Sequence, residues 1–144
     1  MALYVRGSLL LTENEVVEFV CSYLVKNNYE INQYLSTTQT GIDIIATDAK
    51  GAKCYIEAKG ATSSKPSSSR YGKEFNKSQV KSHIGMALVA AFKILNEYPN
   101  AESFIALPNN VEHKSLVKAM RKPLLQSGVK ILLVNKQGVV QRYI

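Results

Sequence analysis

Residues 41–60 read GIDIIATDAKGAKCYIEAKG. Two apolar runs flank a glycine-containing turn, and each reads as a β-strand. Each run also carries charge that a core strand lacks: Asp43 in the first, Glu57 and Lys59 in the second. Side chains alternate faces along a strand. Ile42, Ile44 and Ala46 therefore share one face, with Asp43 and Ile45 on the other. In the second run Cys54, Ile56 and Ala58 share a face, and Tyr55, Glu57 and Lys59 point the opposite way. The turn decides whether Asp43 joins Glu57. Opposed residues of an antiparallel pair have a constant sum of numbers. A two-residue loop, Ala49-Lys50, gives 99 and puts Asp43 on the wrong side. A three-residue loop, Ala49-Lys50-Gly51, gives 100 and sets Asp43 opposite Glu57. Such loops favour a left-handed residue at their third position, and Gly51 supplies it. The turn chemistry thus predicts Asp43, Glu57 and Lys59 clustered on one surface.

Two adjacent carboxylates repel and raise a pKa unless a cation sits between them. Sparse, hard oxygen ligands suit Mg²⁺ or Mn²⁺, which keep waters and complete their shell with phosphate oxygens. A neighbouring lysine is able to orient an attacking water and offset charge on a phosphate in transition. The set fits phosphodiester hydrolysis. It also fits a plain Asp–Lys or Glu–Lys ion pair at a sheet edge, since Asp followed by Glu-x-Lys is a loose pattern. The paired strands, with Gly41 before the pattern and Gly60 after it, strengthen the first reading.

Working outward, Thr12 and Glu15 form a capping box that opens a helix running to about Asn27. Val16, Val17, Val20, Cys21, Tyr23 and Leu24 give it an apolar stripe. YEINQYLSTT reads as a strand, so three strands follow the helix as a meander. Residues 60–77, GATSSKPSSSRYGKEFNK, form a long serine-rich loop. Loops of that length are functional or disordered; a flexible linker is one reading, a clamp on nucleic acid the other. SQVKSHIGMALVAAFKILNEY is the longest helix. ESFIALP is a buried strand, EHKSLVKAMRKPLLQSG a helix broken near Pro123 and closed by Gly128, and VKILLVN and VVQRYI the last two strands. The order is αβββαβαββ in a single domain, residues 1–144, and the segment LYVRGSLLL is a further strand or arm.

This order, with GID and YIEAKG behind a helix that begins with acidic residues, resembles the PD-(D/E)XK nuclease superfamily, which includes restriction endonucleases, Holliday-junction resolvases and Mrr-like enzymes. The resemblance covers residues 12 to about 107. It implies an α/β fold with a restriction endonuclease-like αβββαβ core, a mixed central sheet flanked by helices. It implies Asp43 and Glu57 as ligands of Mg²⁺ or Mn²⁺ and Lys59 as the catalytic lysine. Ile42 stands where members often carry proline. Members often add a Glu from the first helix. The spacing usual in resolvase-like members lands on Val17; Glu13 lies one turn earlier on nearly the same face, and Glu18 about a quarter-turn away. Glu13 is the expected contributor, with Glu18 behind it; Glu15 serves the cap. All three also simply favour the positive end of the helix dipole. Gln79 and His83, four apart on the long helix, stand where some branches place a Gln-x-x-x-Tyr pair facing the site. His83 would bind phosphate, position water or move a proton, or else lie on the surface. His113 reads as a surface residue.

The chain is 46% apolar and 20% charged, with net charge +7 and a pI of about 9.4. The positive excess points to an anionic partner, nucleic acid foremost. Lys65, Arg70, Lys73, Lys77 and Lys81 are the expected phosphate contacts, and Tyr71 and Phe75 offer rings for base stacking. Cys21 and Cys54 sit in apolar stretches and read as core residues without disulfide or zinc spacing. No apolar run has the length of a membrane span, and a cytoplasmic location is expected. The leading function is a metal-dependent nuclease acting on DNA, working as a homodimer because cutting both strands takes two sites. The second is a catalytically inactive nucleic-acid-binding or accessory subunit on the same fold.

Overall fold

The structure, a computed structural model, describes residues 10–35, 41–63 and 72–144. Helix α1 (Glu13–Lys26) is followed by strands β1 (Glu30–Tyr34), β2 (Ile44–Thr47) and β3 (Lys53–Ala58). Helix α2 (Lys77–Glu97) leads to β4 (Glu102–Pro108), α3 (Val111–Ala119), α4 (Arg121–Ser127), β5 (Val129–Val134) and β6 (Val140–Arg142). The strands form a mixed six-stranded sheet in chain order. β1, β2 and β3 are antiparallel neighbours, β4 runs parallel to β3 and β5, and β6 closes the far edge antiparallel.

The β2–β3 hairpin has the register that its turn predicts. Ile44 pairs with Ile56, Ile45 with Tyr55, Ala46 with Cys54 and Thr47 with Lys53. The loop is Ala49-Lys50-Gly51, with Gly51 at φ +88°. Asp48 N–H donates to Ala52 O at 2.9 Å, and Asp48 Oδ1 accepts from the N–H of Lys50 and of Ala52. That side chain ties the turn together as a local backbone mimic.

Each face of the sheet has its own core. α1 buries Val16, Val17, Val20 and Leu24 against Ile44, Ala46, Cys54, Ile56, Phe104 and Leu132. α2 buries Val80, Ile84, Ala87 and Ala91 against Ile105, Leu107, Ile131 and Leu133 on the other face. β4, covered on both faces, is buried from Ser103 to Pro108, as a central parallel strand should be. On the α2 face the helix packs over β3 and β4, and Ile45 and Thr47 of β2 stay half-exposed. A shelf is left beside α2, and the charged residues of the hairpin face it.

Three expectations change. The last helical stretch is two helices, α3 and α4, with the break at Met120. Pro123 lacks an N–H and clashes with the carbonyl four residues back, so it is accommodated in the first turn of a new helix. α2 starts at Lys77 because Asn76 caps it: Asn76 Oδ1 accepts from Gln79 N–H, and Gln79 Oε1 accepts from Asn76 N–H, each at 2.9 Å. His113 is fully buried rather than on the surface. Asn110, the N-cap of α3, accepts both its N–H at 2.9 Å and its Nδ1–H at 2.8 Å, which draws the ring inward. Of the N-terminal segment LYVRGSLLL only Leu10 and Leu11 are described; Leu11 is buried, and its carbonyl accepts from Ala61 N–H at 2.7 Å.

Candidate active site

Asp43 precedes the first ladder pair of β2 and is held by backbone. Its carbonyl accepts from Leu35 N–H at 2.8 Å, and its Oδ2 accepts from Ala58 N–H at 2.8 Å. Only 8% of Asp43 is exposed. The hairpin register, continued one step, sets it opposite Glu57, and their carboxyl groups share a hydrogen bond. Burial pushes Glu57 up to about 8, with the Asp43 charge and the shared bond adding to it and Lys59 opposing. Lys59 is half-buried just past β3, and its N–H donates to Ala106 O at 3.0 Å, so the β4 ladder fixes its backbone.

Glu13 joins this group from α1. Its carboxyl is raised to about 7 by burial and by the Asp43 charge, with Lys59 again opposing. The approach depends on Gly60. A Cβ there would lie 2.5 Å from Glu13 N and 2.8 Å from Thr12 C, so only glycine lets the first turn of α1 come this close to the end of β3. The capping box fixes that turn: Thr12 N–H donates to Glu15 Oε1 at 3.0 Å, and Glu15 N–H to Thr12 Oγ1 at 3.3 Å. Glu15 is therefore used by the cap, and Glu18 is exposed. Of the three acids on α1, Glu13 is the one whose charge acts on Asp43 and Lys59.

From the other side of the sheet's end, His83 is half-buried on α2, and its pKa is lowered by burial and by the Lys59 charge. Phe75 meets its ring edge-on, with centroids 4.5 Å apart. Phe75 N–H donates to Ala61 O at 3.0 Å, which pins the far end of the serine-rich loop to its start. Phe75 is thus an anchor of this loop and a support of His83, rather than a ring projecting toward bases. Gln79 lies one turn before His83, and its carbonyl oxygen serves the α2 cap. The sequence hides this capping role, because Asn76 ends a serine-rich stretch that reads as loop. Lys73, Lys77 and Lys81 are exposed. Lys77 and Lys81 border a cleft with Glu112 of α3, on a different flank of α2 from His83. Lys65, Arg70 and Tyr71 lie outside the described residues, as does the rest of the stretch 64–71 of the expected clamp.

Among the described residues, no three His, Cys, Asp or Glu side chains converge into a ready-made metal cage. Mg²⁺ does not need one: one or two carboxylates, waters and substrate phosphate are its usual shell. The Asp43 charge helps to keep Glu57 protonated where a cation would fit, and the donors are hard oxygens, so the residues present suit such an ion. Neither cysteine is poised for chemistry. Burial pushes Cys21 up to about 11 and Cys54 to about 12, and both thiols are free. Among the described residues, no helix is long and apolar enough to cross a membrane.

An αβββαβ core on a mixed sheet places the chain in the restriction endonuclease-like class of α/β folds. Two solved structures share this architecture. One is an XisH family protein from Nostoc punctiforme PCC 73102, with TM-score 0.56 and 19% identity over 90% of this chain and 99% of that one. The other is an fdxN element excision controlling factor protein from Anabaena variabilis, with TM-score 0.54 and 20% identity over 90% of this chain and 98% of that one. At these identities the likeness is one of fold. No family model and no curated protein matches the sequence.

Proposed function

We propose that the protein is a metal-dependent nuclease of the PD-(D/E)XK type that hydrolyses phosphodiester bonds in DNA. The observation that carries this reading is that the hairpin register sets Asp43 opposite Glu57, with Lys59 next on the same face and the first turn of α1 brought close enough for Glu13 to feel the Asp43 and Lys59 charges. A bound Mg²⁺ or Mn²⁺ would polarise a phosphate oxygen and neutralise its charge. Asp43 and Glu57 would hold the ion, with Asp43 kept in place by Ala58 N–H. Lys59 would orient the attacking water and place positive charge beside the phosphate as negative charge builds there. Glu13, pushed up to about 7, is suited to take a proton from that water at neutral pH. His83 sits close enough to sense the Lys59 charge and would contact the phosphate from the α2 side.

A second reading is an accessory role on the same fold. The Anabaena variabilis neighbour is described as an excision controlling factor, and carried to this chain that description suits either a cutting enzyme or a subunit that assists one. The intact Asp, Glu and Lys favour the first. The test is a cleavage assay on linear, nicked, branched and single-stranded DNA and on structured RNA, with Mg²⁺, Mn²⁺ or EDTA. Wild type should cut DNA only with metal, and Asp43→Ala should cut nothing. Binding without cutting in every condition would move the protein to the accessory reading, and an RNA-only activity would correct the substrate.

A further inference from the structure

A cleft of about 430 Å³ opens between β3 and α2 beside Glu57. Ile42 and Tyr55 form one wall, Ala90 and Ile94 the other, and Lys93 stands at the margin. At Tyr55 it meets a second cleft of about 580 Å³ that extends past Lys53 and Lys50 to Tyr98. The Tyr55 and Tyr98 rings stack with centroids 5.1 Å apart and planes 9° apart. Tyr98 keeps 41% of its surface exposed and lines the second cleft. Same-face residues of a strand lie about 6.7 Å apart. The path from Glu57 past Tyr55 to Lys53 therefore runs away from the carboxylates along a single face of β3.

Beyond Glu57, hydrolysis at the carboxylates uses none of this path, yet its chemistry is specific. The walls are apolar and aromatic, and the cations stand on the rim. Lys93, Lys53 and Lys50 outnumber the two carboxylates of the lining, Glu57 in the first cleft and Glu97 in the second. Base faces seek aromatic and apolar walls, and the phosphates between them seek dispersed cations. A duplex keeps its bases stacked inward and would offer such walls only its charged backbone. An apolar peptide would make no use of the lysines. Ser103, on the floor, donates its hydroxyl to Ala91 O at 3.1 Å, so its hydrogen is not offered to a base edge. Stacking without edge reading accepts any sequence. The first cleft is of a size that encloses a nucleotide-sized ligand.

We propose that the joined clefts hold an unpaired strand leading away from the scissile phosphate. The substrate class is then nucleic acid with a single-stranded segment next to the cut, such as a flap, a fork or a gap. The position of the phosphate rests on the nuclease reading; the strand track itself stands on the clefts. The test is fluorescence anisotropy in EDTA with labelled oligothymidylate and with a blunt duplex of equal length. Tyr98→Ala and Lys93→Glu should each weaken oligothymidylate binding about tenfold and leave duplex binding unchanged. Tyr98→Phe should bind as wild type, because the stacking face is kept. With Mg²⁺, wild type should cut a flapped duplex faster than a blunt one, and Tyr98→Ala should lose that preference. Unchanged oligothymidylate binding in both variants would overturn the track, as would an equal loss for single strand and duplex. Single-strand binding as expected without any cutting would defeat the nuclease reading and leave the track standing. Cutting of blunt duplex with unchanged single-strand binding in both variants would do the reverse.

Discussion

Glu57 holds its proton well above the usual carboxylate range because burial and the neighbouring Asp43 charge both disfavour its ionised form without a cation between them. Glu57 lies near 8 and Glu13 near 7, so a divalent ion must displace protons to bind at neutral pH. Affinity for Mn²⁺ should therefore rise as pH increases from 6 toward 9, with proton release visible by calorimetry in buffers of different ionisation enthalpy. A flat affinity across this range would mean that the ion does not use these groups. The same shifts act on stability. A carboxyl raised in the folded state contributes stability that is present below its unfolded value of 4.5 and is lost as pH rises through the folded value. The metal-free protein should melt at lower temperature at pH 9 than at pH 6, and Mg²⁺ should narrow that difference. At the same scale, Lys59→Ala should lower the cutting rate by about 10²- to 10⁴-fold with the melting temperature little changed. Wild-type cutting by Lys59→Ala would remove that residue from the mechanism. The acids and the lysine were legible in the sequence, because charge in an apolar strand is conspicuous. Glu13 was expected ahead of Glu18 from the helix face alone, and the approach of α1 to β3 is what sets it near Asp43 and Lys59.

At the scale of elements, the first turn of α1 does two tasks. It caps the helix through Thr12 and Glu15, and it sets Glu13 against the end of β3. Thr12→Ala should cost about 1 kcal/mol of stability and slow cutting, through displacement of Glu13. Gly60→Ala should be worse, since the added Cβ would strike the backbone of Glu13 at 2.5 Å. A loss of about 1–3 kcal/mol is expected from such overpacking, read as a drop in melting temperature together with lost activity. α3 carries a separate pH response. Burial lowers His113 to about 4, and its Nε2 has no hydrogen-bond partner among the described residues. A histidine lowered in the folded state leaves stability whole above its unfolded value of 6.5 and reduces it as pH falls toward the folded value. His113 should offset part of the stability that the raised carboxyls of Glu13 and Glu57 add as pH falls from 6.5 to 4.5, and His113→Phe should make that rise steeper. The hairpin, its register and the cap of α1 could be read directly, because turn and capping chemistry are local. The cap of α2 and the burial of His113 could not, since Asn76 and Asn110 resemble ordinary loop residues until their partners are placed.

Across the whole molecule, the two helical layers leave one surface unexplained by the core. Met86, Val89 and Phe92, exposed at 60%, 55% and 47%, follow one another along the outer side of α2. The stretch 82–92 around them has no formally charged residue. A paired enzyme would bury this side against its copy, and a pair has the two sites needed to cut both strands of a duplex. Wild type should sediment as a dimer, and Met86→Glu with Phe92→Glu should give a monomer that nicks one strand. A monomeric wild type would separate duplex cutting from pairing.

The sequence by itself determined the element order apart from the division of the last helix, the hairpin register and the placing of Asp43, Glu57 and Lys59 on one face, because alternation, turn length and capping act over a few residues. Only the tertiary structure decided how close Glu13 comes to the trio, that Phe75 braces His83, and that Tyr55, stacked on Tyr98, lines both clefts. Those relations join residues far apart in the chain. They exist because a glycine at 60 lets a helix touch a strand end and because α2 covers only part of the sheet. No local pattern carries that information.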